Sequence, residues 1–217
     1  MHKTLATVTA PSALALGLAL GLAMTLAACG HTPPPAQPLA WRVDVAQSSV
    51  NFVSTKAGAP GAGGVSEVSR FGRFSGGMNA QGRVEFDVEL ASVDTGVGIR
   101  DERLRTMLFN VAALPRATFS AQIDPALIAT LPPQGVRDVE LAGQLTLAGQ
   151  TKPVAARVRV ARGAGGDLQV GTREPIVVDA QQFGLKPGVE ALRELMGLNF
   201  LASAAPVTFA LVLHEQR

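Results

Sequence analysis

The sequence predicts an all-β chain: a single antiparallel eight-stranded barrel with one or two short helices. Three observations lead there. From Trp41 onward the dominant hydrophobic period is two, as in strands with one face in a core and the other in water. Clusters of Gly, Pro and Asn interrupt the pattern at short intervals, which suits hairpins rather than long crossovers. Helical spacing is confined to two segments. Eight strands closed on themselves remove every sheet edge and leave an interior that side chains fill or one ligand occupies.

The strands follow in order. Trp41 to Val53 and Glu67 to Ser75 are the first two candidates, separated by Gly58 to Gly64. Val84 to Leu90 alternates apolar and acidic residues strictly, so Val84, Phe86, Val88 and Leu90 share one face. Ile99 to Phe109 then places Ile99, Leu104, Leu108 and partly Met107 near one helical face. Thr118 to Asp124 resumes the strand pattern before Pro132-Pro133. Asp138 to Leu147 and Val154 to Val160 flank the turn Ala148-Gly149-Gln150, with Arg157 and Arg159 outward. Leu168 to Val178 comes after the turn at Gly163 to Gly166. Pro187 to Gly197 reads as a second short helix closed by its terminal glycine. Val207 to Leu213 is the last strand. No internal repeat or second linker interrupts this domain, which runs over 41–217.

Ahead of it lies a different kind of sequence. Met1-His2-Lys3 precedes an uncharged Ala/Leu-rich stretch from about Ala10 to Ala28. Leu26-Ala27-Ala28-Cys29 resembles the bacterial lipobox, in which the thiol takes a diacylglyceryl group. Residues 1–28 are therefore expected to be a lipoprotein signal peptide and Cys29 a lipidated N-terminus carrying palmitate-type chains. Gly30, rather than Asp, follows the cysteine. By resemblance to lipoproteins of Gram-negative bacteria this points to the cell envelope, anchored to the outer membrane and facing the periplasm. Residues 29–40 are rich in proline and form an extended tether that includes His31.

Composition excludes much chemistry. Nineteen Lys+Arg against 17 Asp+Glu give a net charge of +2, and the basic residues are dispersed, so the footprint of a nucleic-acid binder is missing. One cysteine allows neither an internal disulfide nor a thiolate cluster. His2, His31 and His214 are the three histidines, and only His214 falls in the barrel, at the end of its last strand. No acidic residues show ligand spacing, so no metal, cofactor or enzymatic role is expected. Nine Phe and no Tyr give an aromatic surface almost without polar handles, as suits a dry interior. The charged run Arg100-Asp101-Glu102-Arg103-Leu104-Arg105 has two readings. Its guanidinium groups could meet an anionic head group, or Arg100 and Asp101 could tie loops together.

Several segments resemble the YceI-like family of bacterial periplasmic lipid-binding proteins. They are Trp41-Arg42-Val43-Asp44 with Ser48 to Phe52, then Arg70 to Gly76 and Ser92-Val93-Asp94-Thr95. Arg100-Asp101 through Phe109 to Pro115-Arg116-Ala117-Thr118-Phe119 follows, then Leu145 to Val154 and Phe183-Gly184. Arg103 and Ala148 stand where many members carry His. The resemblance implies a lipocalin-like barrel whose apolar tunnel takes a long isoprenoid or quinone-type lipid, with no catalytic role. The expected tunnel lining is Phe52, Phe71, Phe74, Phe86, Val88, Leu90, Phe109, Phe119, Phe183 and Phe209, with Arg100, Arg103 and Arg105 toward the head group. A barrel packed solid and working through protein contacts remains the alternative, and the oligomeric state stays open.

The anchor is testable directly. Two acyl chains, at about 0.8 kcal/mol per buried CH₂, hold a protein stably on a membrane, whereas one is marginal. Cys29→Ser is expected to leave an unprocessed or soluble form, read by intact mass and by partition into detergent. Normal processing with continued partition would refute lipidation at this residue.

Overall fold

The computed structural model describes residues 38–216. The expectations placed on the leader, on Cys29 and on His31 lie outside that range.

Among the described residues, twelve strands and three short α-helices follow in chain order. Strands β1 (Leu39–Ala57), β2 (Val65–Phe71), β3 (Phe74–Asn79), β4 (Arg83–Glu89) and β5 (Val93–Asp94) come first. Helix α1 (Gly98–Arg103), β6 (Arg116–Gln122) and α2 (Ala126–Ala129) follow. Then come β7 (Val136–Leu147), β8 (Gln150–Arg162), β9 (Leu168–Thr172), β10 (Ile176–Asp179) and α3 (Lys186–Leu195). The short β11 (Phe200–Leu201) and the long β12 (Ala204–Glu215) complete the chain. All pairings are antiparallel.

Eight of these strands close a ring in the order β1-β3-β4-β6-β7-β8-β9-β12, sealed where β12 pairs back onto β1 from Trp41↔Glu215 to Phe52↔Val207. The barrel predicted from the period-two pattern is therefore present, with β2, β5, β10 and β11 added around it. The two-residue turn between β7 and β8 needs left-handed backbone at both positions, and Ala148 (φ 50°) and Gly149 (φ 75°) supply it.

Two strands expected to be continuous are broken. Glu67 to Ser75 becomes β2 and β3, which lie along successive halves of β1. Gly72 and Arg73 leave the ladder because they hydrogen-bond elsewhere. Gly72 N donates to Ser92 O (3.0 Å) and Arg73 N to Ser92 Oγ (2.9 Å). Leu168 to Val178 likewise becomes β9 and β10, both along β12. Pro175, which has no N–H to donate, sits in that break. The segment Ile99 to Phe109 is helical only in part. Beyond α1, residues Leu104–Leu108 form a π-turn in which Phe109 N donates to Leu104 O (2.9 Å). The change of period turns Leu104 and Leu108 into the core and leaves Ile99 61% exposed, contrary to the sequence expectation. Helix α2 was not foreseen, since four residues are too short to show a period.

Close strand approach fixes two glycines. A Cβ on Gly77 would collide with the backbone carbonyl of Trp41 on β1, and one on Gly143 would run into the Phe119 ring and Ser120 O. Gly77→Ala is expected to destabilise the barrel by about 1–3 kcal/mol through overpacking. Gly58→Ala, which meets nothing, should stay within about 0.5 kcal/mol. Urea midpoints at constant m-value measure both.

Candidate functional site

The inward rows of the ring enclose a cavity of about 200 Å³. A single water needs roughly 10–15 Å³ on that scale, so this is a hollow and not a packing defect. Its wall is aliphatic and aromatic. Val84, Phe86 and Val88 come from β4, Ala117 and Phe119 from β6, and Val139, Leu141 and Leu145 from β7. Val154, Ala156, Val158 and Val160 come from β8, and Val207, Phe209, Leu211 and Leu213 from β12. Trp41, Val43, Val50 and Met78 complete much of the remainder. Glu85 also reaches the wall, but its carboxylate accepts a hydrogen bond from Arg83 Nε at 2.7 Å and is 47% exposed to solvent.

The hollow follows from side-chain size. An eight-stranded barrel is just wide enough for side chains to fill. Here valine is the commonest wall residue, and its short branched side chain stops before the axis. A cavity without polar partners has nothing to hold water, so it stays dry.

Different elements pack at the two ends of the barrel. At one end α2 packs Ile128 and the following Leu131 into the barrel core. Two arginines at inward-facing positions of β7 and β8 hold it there. Arg137 Nη1 donates to Leu127 O (2.8 Å), and Arg162 donates to Ile128 O (2.7 Å) and Leu131 O (3.0 Å). The Arg162 guanidinium also lies 5.6 Å from the centroid of the Trp41 ring. At the other end a second cluster of Leu90, Val93, Phe109, Leu147, Phe183 and Leu185 lies beneath the π-turn and the segment leading into α3. An aromatic row runs through it, with ring centroids 5.3 Å apart for Phe52–Phe71 and 6.2 Å for Phe71–Phe109.

The residues named from sequence divide between these regions. Phe86, Val88, Phe119 and Phe209 stand on the cavity wall. Phe74 is buried behind it, 5.7 Å from the Phe86 ring. Phe52, Phe71, Leu90, Phe109 and Phe183 belong to the second cluster, with Phe71 also touching the barrel core. None of Arg100, Arg103 and Arg105 reaches the cavity wall. Arg100 Nη1 donates to Glu67 Oε2 (2.9 Å), the oxygen that Lys56 Nζ also holds at 2.7 Å. Arg105 donates to Ala91 O (2.8 Å) and Val93 O (3.2 Å). The Arg103 side chain makes no hydrogen bond or ion pair among the described residues. Buried Asp101 accepts from Thr95 N (2.8 Å) and Thr95 Oγ1 (2.6 Å), so it ties a loop to α1.

Most of the valine and leucine wall was not singled out from sequence, although the same alternation that marked Phe86 runs through every strand. Ile128 carried no signal of that kind. Among the described residues no group of three or more His, Cys, Asp or Glu is placed to hold a metal ion. What the wall offers a ligand is dispersion and removal of apolar surface from water.

The YceI-like domain matches this chain over residues 41–213. Among solved structures, a polyisoprenoid-binding domain from Saccharophagus degradans, implicated in plant cell wall breakdown, is 31% identical with a TM-score of 0.77. The match covers 82% of this chain and 100% of that one. BcnA from Burkholderia cenocepacia shares the fold at 22% identity and a TM-score of 0.59, over 78% of this chain and 98% of that one. No curated protein matches the chain.

The Lys56–Glu67–Arg100 brace predicts a pH dependence. The hydrogen bond from Lys56, and then the charge of Arg100, hold the Glu67 carboxyl below its ordinary 4.5. A depressed carboxyl stabilises the fold fully above its unfolded value and loses that contribution as pH falls through the folded one. Urea midpoints should therefore decline below about pH 4.5, and Glu67→Gln should flatten part of that decline. An unchanged acid profile in the variant would show that the brace adds nothing.

Proposed function

Since the chain belongs to the YceI-like domain family, we propose that it is an envelope lipoprotein that binds or carries a long apolar isoprenoid-type lipid inside its barrel. The cavity carries the reading: an apolar hollow of about 200 Å³ in place of a solid core. A barrel acting as a scaffold alone has no use for such a hollow. The polyisoprenoid-binding domain from Saccharophagus degradans, matched along its whole length, supports the choice of ligand class. Lipidation at Cys29 would keep the barrel on the membrane, where such lipids reside.

Affinity then comes from burial. Each isoprene unit brings five carbons, and at about 0.8 kcal/mol per buried CH₂ several units give a large gross driving force. Ordering a flexible chain offsets much of it, so micromolar binding is the expected scale, on the order of 8 kcal/mol. For a neutral lipid, affinity should rise with chain length and respond little to salt.

Lipid extraction and mass spectrometry of the full chain isolated from its own membranes test the proposal. A prenyl lipid is expected in the extract. Phe86→Glu, which puts a charge on the cavity wall, should abolish copurification. Asp87→Ala, one residue along and facing outward, should leave it intact. Folded wild-type protein that carries no lipid and takes up none from vesicles would overturn the reading.

A further inference from the structure

We propose that lipid enters and leaves the cavity sideways, through a slot in the barrel wall between β8 and β10; this rests on the lipid-binding reading above. The ring is zipped along only part of β8. Its ladder with β9 runs from Arg162↔Leu168 to Val158↔Thr172 and ends on one more backbone bond, from Arg173 N to Arg157 O (2.8 Å). Strand β10 then continues along β12, from Ile176↔Val207 to Asp179↔Ala204, without a ladder to β8. Among the described residues, 150–156 of β8 thus have β7 on one side and no strand on the other.

The two bare edges border a cleft of about 260 Å³, with Pro153 to Arg157 on one side and Glu174 to Val178 on the other. Arg157 O points away from β7, so ladder alternation turns Ala155 N–H and C=O and the Pro153 carbonyl the same way, into the cleft. Pro153 stands where a closing strand would need an N–H, and it has none to give. On β10, Ala180 N donates to Ser203 O on the β12 side, so Val177, three residues earlier, aims its N–H and C=O at the cleft. Cleft and cavity share a wall: Val154, Ala156, Ile176 and Val178 border both. A single layer of side chains separates them there, and one of the four is only a methyl group.

Other routes displace more. Over the α2 end a lipid meets the guanidinium–carbonyl bonds of Arg137 and Arg162, behind which Ile128 and Leu131 sit in the core. Under the π-turn it meets the packed rings of Phe52, Phe71 and Phe109. Between paired strands it must break a ladder. At the slot no ladder joins the two edges, so shifts of four small aliphatic side chains open the way. A prenyl chain suits such a passage, because it threads a narrow opening a few carbons at a time, whereas a rigid ring system needs the full width at once.

A bridge across the slot tests this. Ala155→Cys with Val177→Cys puts one thiol on each edge, at two exposed positions that are not on the cavity wall. A short bis-maleimide with a cleavable disulfide joins them in the folded full chain, and intact mass confirms the link. Uptake of geranylgeraniol from phosphatidylcholine vesicles, and its release to them, is followed by the fluorescence of Trp41, the one tryptophan of the sequence and itself on the wall. Bridging is expected to slow uptake and release together by about tenfold or more, and to leave equilibrium affinity within about twofold, because a barred entrance raises a barrier without changing either end state. Cleaving the linker should restore both rates, and single-cysteine variants treated alike should exchange as the wild type does. A fall in affinity without slowing would make the slot part of the site and overturn the proposal. If the wild type binds the prenol and full bridging leaves both rates unchanged, the inference fails while the lipid reading stands. If the wild type binds none, both fall.

Discussion

A closed ring of eight strands with short side chains turned inward is the constraint from which the rest follows. Closure fixes the diameter, and no strand can move toward its opposite neighbour without breaking a ladder. The interior must then be filled from the wall, and valine does not reach. A mostly leucine and phenylalanine lining on the same ring would meet at the axis and leave no room. Residue size at the inward positions therefore decides between a core and a container, and backbone topology alone does not.

The two ends solve a problem that the cylinder creates. An open apolar tube would expose its lining to water, and different elements pack at its two ends to limit that. Around α2 the contacts are polar: carbonyls at the end of a very short helix receive guanidinium donors from half-buried arginines of the inner rows. Under the π-turn the seal is aromatic, with Phe52, Phe71 and Phe109 packed in a row. Arg100 of α1 and Arg105 of the π-turn tie that second cover to Glu67 and to the backbone of Ala91 and Val93.

Strand identity was legible because each strand has one wet and one dry face, and Val84 to Glu89 shows how little context that needs. Strand breaks were not. Gly72 and Arg73 leave the ladder for partners on the Glu89–Ser92 corner, a tertiary exchange that no local pattern announces. The π-turn was hidden for a related reason: one extra residue in a turn shifts Ile99 from an expected buried face to solvent. The candidate site was half legible. Phenylalanine attracts notice as the largest apolar side chain, yet five of the named residues fill the helical cover and only Phe86, Val88, Phe119 and Phe209 reach the hollow. The inconspicuous valines make the space.

The pairing of β12 with β1 also governs when the protein can exist. Asp44 and His214, brought together across that ladder, are 170 positions apart in the chain. Contacts of such separation cost the most loop entropy to form and are characteristic of slow folding. Until β12 arrives, β1 has a bare edge and the dry wall faces water, which together make an adhesive intermediate. The barrel thus cannot mature segment by segment as the chain emerges. It waits for β12 (Ala204–Glu215), and its vulnerable interval is the lag between synthesis of β1 and capture of β12.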